Sequence, residues 1–119
     1  MPTPSGCKPR LMSCTFLLWD VETANILWKK KQRGELNRAD ADDILTKVVA
    51  LPLIRHLEAP LLPAAFDLAD RLQRTVYDCL YLALAIQLGA KMVTADLRFY
   101  NALQGTPEAN HICWIENVP

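Results

Sequence analysis

The sequence has little that would point outward. It has no net charge, since 13 Lys and Arg balance 13 Asp and Glu over 119 residues. No overall field therefore draws the chain to nucleic acid or to a membrane, and any nucleic-acid site has to be a local patch. The cysteines, at positions 7, 14, 79 and 113, lack the paired spacing that holds zinc or forms a redox motif. Cys79 lies inside an apolar run, where a buried free thiol is expected, and that usage fits a reducing cytoplasm. The longest uncharged apolar run, Cys79 to Ala90, falls short of the roughly 20 residues that span a bilayer. The opening MPTPSGCKPRLMSC has basic residues but no adequate apolar region and no small-residue cleavage site, so no signal peptide is expected. Internal repeats and low-complexity segments are absent.

What is present is a globular composition, 51% hydrophobic and 22% charged. That is too apolar for disorder, and the length allows one domain with a single modest core. Residues 1–10 have no clear period and read as a ragged segment, which leaves 11–119 for the domain. Phe16 to Trp19 is a strand end or a helix entry. A helical pattern starts at Val21, with Val21, Ala24, Leu27 and Trp28 on one stripe expected in a core or a dimer interface, and stops at Gly34. Asn37 is placed to cap a second helix, with Asp40 as its capping-box partner. Leu53 to Leu57 reads as a strand, and Ala64 to Leu72 as a third helix with Phe66, Ala69 and Leu72 repeating at threes. Thr75 opens a fourth helix that ends at Gly89. Lys91 to Thr94 reads as a strand, Leu97 to Leu103 as a short helix and His111 to Glu116 as a last strand. Helices alternating with short apolar strands predict an α/β layer fold with a parallel sheet.

Two aspartates sit where packing has no use for them. Asp78 falls at the third position of the Thr75 helix, where an acid closes a capping box and favours the helix dipole. Asp96 ends the strand Met92-Val93-Thr94-Ala95 and is equally placed to cap the helix after it, with Thr94 able to orient it. In parallel α/β sheets ligands gather beyond the carboxyl ends of the strands. Glu22 is a third acid, with Asn25 three residues on and so on a similar helix face; a solvated surface pair is the plainer reading of these two. If the three acids converge, they repel one another, and a hard divalent cation resolves the repulsion. Acids with a cation, without His or Cys, point to phosphoryl transfer or phosphodiester hydrolysis.

The stretch TVYDCLYLALAIQLGAKMVTADLRFYNAL resembles the C-terminal half of PIN-domain ribonucleases, in particular the VapC toxins of VapBC toxin–antitoxin modules. Tyr77, Asp78, Tyr81, Leu82, Ala83, Thr94, Asp96, Arg98 and Phe99 carry the likeness, and upstream Glu22, Asn25 and Trp28 match the family's Glu-x-x-Asn-x-x-Trp segment. The resemblance, which covers roughly residues 11 to 119, implies a PIN-like three-layer fold with a short parallel sheet flanked by helices. It implies Glu22, Asp78 and Asp96 as catalytic and metal-holding carboxylates for Mg²⁺ or Mn²⁺, with Asn25 and Thr94 in support. RNA is the implied substrate, a VapB-like antitoxin the implied protein partner, and a homodimer the form of the complete family member.

One family feature has no match. Members open with a strand ending in an aspartate, whereas no acid here precedes Asp20, which is too near Glu22 to stand in for a residue from another strand. The chain is therefore expected to lack the central first strand and the first helix, and with them part of its activity. A non-catalytic remnant that binds an antitoxin or a subunit is the alternative. A receiver or a haloacid-dehalogenase-like phosphatase fits less well, lacking an Asp-x-Asp pair and an acid pair near an N-terminal strand. Lys29, Lys30, Lys31 and Arg33 form the strongest basic cluster. Its plain reading is a solvated helix end that complements the dipole, and RNA contact through Lys29, Lys30, Arg33 and Arg98 is the sharper one.

Overall fold

The protein is described by a computed structural model over residues 14–118. The ragged segment expected at 1–10 lies outside the described residues. The elements are β1 (Cys14–Phe16), α1 (Leu18–Gln32), α2 (Arg38–Val49), β2 (Ile54–His56), α3 (Leu62–Leu72), α4 (Val76–Leu88), β3 (Met92–Thr94), α5 (Leu97–Leu103) and β4 (Ile112–Trp114), with 3-10 turns at Ala59–Leu61, Pro107–His111 and Ile115–Asn117. The expected class, helices alternating with short parallel strands, is what the chain forms. Among the described residues the strands pair two by two. β1 lies parallel to β2 with Cys14 opposite Ile54, and β3 lies parallel to β4 with Met92 opposite Ile112. No described strand joins the two pairs.

The described residues divide between Glu58 and Ala59 into two compact units. In the N-terminal unit β1 passes through Leu17 straight into α1, so the helix starts at Leu18 and not at Val21. Gly34, at φ 75°, ends it in the left-handed region, with the Gly34 N–H donating to Lys31 O and the Glu35 N–H to Lys30 O. The Asn37 cap forms as expected. Its side-chain oxygen accepts from the Asp40 N–H at 2.8 Å, while its amide nitrogen donates to the Asp40 carboxylate at 3.0 Å. Within the single chain, the stripe expected in a core or a dimer interface is covered only in part. Leu27 is buried, but Val21 and Trp28 are exposed, so Trp28 is not a core residue. The reason is that apolar residues run around α1 instead of along one side, and only the side carrying Leu27 is covered.

Arg55, on β2, ties the N-terminal unit together. Its guanidinium donates to both carboxylate oxygens of Asp20 on α1, at 2.6 and 3.1 Å, and to the carbonyls of Val49, Leu51 and Leu53. The Asp20 hydrogen bond holds Arg55 above its ordinary pKa, against partial desolvation. Asp20 is thus a structural acid that links α1 to β2.

The C-terminal unit holds most of the core. Cys79, Leu80, Leu82, Ala83, Leu84 and Ala85 of α4 are all buried, packed against Ala65 and Leu68 of α3, with Phe99, Leu103, Ile112 and Cys113 also inside. Helix α3 begins at Leu62, two residues before the expected start, because Pro63 sits in the first turn, where its missing N–H costs nothing. The α3 stripe is rotated from expectation. Ala65 and Leu68 face inward, and Phe66 is 68% exposed. Gln73 closes α3 at φ 55°, a left-handed conformation that a non-glycine residue adopts at a cost of about 1–2 kcal/mol. Buried Glu108 pairs with Arg71 of α3 and so anchors the turn before β4.

Candidate active site

Asp78 is positioned by the start of α4. Thr75 is extended, at φ −65° and ψ 151°, and its hydroxyl oxygen accepts the Asp78 N–H at 3.1 Å. This cap fixes Asp78 one turn into a helix whose other side is core. The carboxylate is half-buried, and none of the hydrogen bonds or ion pairs among the described residues ends on it. Next to it, burial pushes the Cys79 thiol up in pKa. The Asp78 charge adds to that rise, and the Arg74 guanidinium opposes it. Asp78 and Arg74 therefore both act on the first turn of α4.

Asp96 stands at the carboxyl end of β3, where α/β sheets place ligands. Its N–H donates to the hydroxyl of buried Thr94 at 3.0 Å, and its Oδ1 accepts the Phe99 N–H at 3.2 Å, which caps α5. The capping role is thus present together with the placement that a ligand site needs. Capping engages one carboxylate oxygen and leaves the second for another partner.

Asp78, Thr94, Asp96 and Arg98 belong to the C-terminal unit, and Glu22 and Asn25 to the N-terminal one. Because α1 starts early, Glu22 falls in its second turn, where the helix dipole is weak, and Asp20 is the first-turn acid. Glu22 is half-buried and Asn25 exposed. Within neither unit do three or more His, Cys, Asp or Glu side chains of the described residues stand close enough to hold a metal ion. Two carboxylates with oxygens to spare, and no His or Cys, form in the C-terminal unit a donor set that suits a hard cation over a soft one.

A PIN-domain family model matches residues 8–102, most of the chain. The chain belongs to the PIN-domain family. The Ribonuclease VapC3 of Pyrobaculum aerophilum is 40% identical to it over 77 residues, which are 63% of this chain and 59% of that protein. The chain thus spans about three fifths of the length of the curated relative that it matches. Both aspartates and Glu22 lie inside the stretch that the PIN model covers.

The basic residues belong to both units. Lys29, Lys30 and Arg33 are exposed at the end of α1, where Lys30 meets Glu35 at 3.5 Å, and Arg98 is exposed on α5. Reading by sequence missed two residues that line a groove at the start of α4 together with Thr75, namely Arg74 and Phe66. Arg74 directly precedes the cap of α4, which is the signal that marks it. Phe66 was assigned to a core stripe, and only its exposure shows it to be available.

Proposed function

We propose that this chain is a metal-dependent ribonuclease of the VapC kind, with Asp78, Asp96 and Glu22 holding Mg²⁺ or Mn²⁺. The observation that carries this reading is the placement of two lightly engaged carboxylates, at the first turn of α4 and the end of β3, inside a PIN domain. A bound cation would supply an activated water and shield the scissile phosphate. The residues around it have simpler tasks. Thr75 and the helix frame hold Asp78, the Thr94 hydroxyl fixes the backbone at Asp96, and Asn25 accompanies Glu22. A VapB-like antitoxin, a homodimer and a cytoplasmic setting complete the proposal by family likeness.

The test is cleavage of single-stranded RNA with Mg²⁺ or Mn²⁺. Asp78→Asn and Asp96→Asn are each expected to lower the rate by about a hundredfold, a loss of the several kcal/mol that such a cation supplies. Calorimetric titration with Mn²⁺ gives a readout that does not depend on turnover, and equal heats from the parent chain and Asp78→Ala would remove Asp78 from the site. A second reading is a binding module for an antitoxin or a subunit, without catalysis. Full folding with no cleavage at any metal concentration would select it.

A further inference from the structure

A groove of about 420 Å³ runs beside the start of α4, lined by Phe66, Ala69, Asp70, Gln73, Arg74 and Thr75. It lies wholly within the C-terminal unit and shares Thr75 with the cap that positions Asp78. Its chemistry is mixed. Phe66 presents an aromatic ring that is 68% exposed. Arg74 is half-buried, its Nε–H is buried without an acceptor, and its guanidinium forms no ion pair among the described residues. A partly desolvated guanidinium without a counter-charge is costly, and an anion in the groove would offset that cost. The Gln73 amide nitrogen is engaged with the Asp70 carbonyl at 2.6 Å, which holds the two residues together and leaves the Asp70 carboxylate free to accept a hydrogen bond.

We propose that this groove is a nucleotide subsite, which takes one unpaired ribonucleotide of the RNA next to the Asp78 carboxylate. The inference rests on the ribonuclease reading and extends it to substrate recognition. An exposed ring beside an unpartnered cation is the combination by which single strands are held, the base stacking on the ring and the phosphate meeting the cation. A carboxylate acceptor has a use in the same place, since a ribose 2′-hydroxyl or a base amino group donates to it. An apolar partner would account for Phe66 but would leave Arg74 and Asp70 buried without partners.

The test is fluorescence anisotropy of a short single-stranded RNA in EDTA, so that binding is read without cleavage. Phe66→Ala is expected to weaken binding about tenfold with little change in salt dependence, as the loss of one stacked base does. Arg74→Gln is expected to weaken it and to reduce the slope of log affinity against log salt by about one phosphate contact. Asp70→Asn is expected to narrow the preference for RNA over DNA of the same sequence. Phe66 is exposed, so its loss leaves the core intact, and a thermal melt of each variant controls for folding. RNA affinity unchanged in both Phe66→Ala and Arg74→Gln would overturn the subsite while leaving the ribonuclease reading standing. No RNA binding by the parent chain in EDTA would also overturn the subsite, and cleavage with Mg²⁺ or Mn²⁺ tests the ribonuclease reading separately. Altered self-association in Phe66→Ala at unchanged RNA affinity would make the groove a protein-contact face and also sink the proposal.

Discussion

The two units have the same kind of parts, helices and one pair of parallel strands each, but very different interiors. The C-terminal unit buries thirteen apolar residues, from Leu61 to Cys113, whereas the N-terminal unit buries Phe16, Leu27 and Ala41. In its place the N-terminal unit relies on polar ties, chiefly the Asp20–Arg55 pair and the Asn37–Asp40 cap. It exposes Leu17, Leu18, Val21, Ile26 and Trp28 within a single stretch of chain. Helical pattern and caps are therefore enough to shape α1 and α2. They are not enough to give them a core, because apolar residues scattered around α1 instead of lined up on one face cannot all be covered by one neighbour. Asp78 and Asp96 are set on the well-packed unit, and Glu22 on the other, so the candidate carboxylates differ in how firmly they are held.

The largest expected effect tests that contrast at the core. Phe99→Ala should cost about 3–5 kcal/mol, as loss of a fully buried aromatic does. Leu27→Ala should fall at or below the lower end of the 2–5 kcal/mol range for buried leucines, because its unit buries only Phe16 and Ala41 besides it among the described apolar residues. Urea denaturation read by circular dichroism compares the two, and equal losses would break the contrast. Hydrogen exchange should sharpen it, with α4 amides outlasting α1 amides by about tenfold or more.

Next come the caps, which should cost about the same in both units. Asn37→Ala and Thr75→Ala each remove one side-chain acceptor from a helix start and should lose about 1 kcal/mol. Thr75→Ala should also lower RNA cleavage, since the same hydroxyl positions Asp78. A cleavage rate untouched by Thr75→Ala would separate the cap from the site.

Smaller effects are expected at the helix ends. Gly34 and Gln73 occupy the same left-handed region at the ends of α1 and α3. Gly34→Gln should destabilise by about 1 kcal/mol, and Gln73→Gly should stabilise by less than that, as the freer unfolded chain takes back part of the gain. Melting temperatures would check the opposite signs.

The smallest effect is a pH dependence confined to the C-terminal unit. Burial raises the pKa of Cys79 above the ordinary 9.0, so the folded state keeps its proton where the unfolded state loses it. The stabilisation is thus complete below the ordinary thiol value and is lost as pH rises through the folded one. Alkylation of Cys79 at pH 8 should be slow and should accelerate with unfolding. Labelling as fast as that of a free thiol would show that this part of the core is open.

The sequence by itself determined the order of elements, the caps at Asn37, Thr75 and Asp96, and the stops at Gly34 and Gly89, because each depends on a few neighbouring residues and their backbone preferences. It also marked Asp78 and Asp96, whose setting is one helix start and one strand end. Only the tertiary structure decided which helix faces are covered, since burial depends on the opposing element and not on period alone. Phe66 and Trp28 lie at helical spacing with apolar neighbours and are exposed all the same, while Ala65 and Leu68 are inside. Packing likewise made Asp20 the partner of Arg55, 35 residues on, and left Arg74 beside α4 with no acceptor for its Nε–H. Long-range pairing of charges follows from where the folded chain brings them, and no local pattern in the sequence records it.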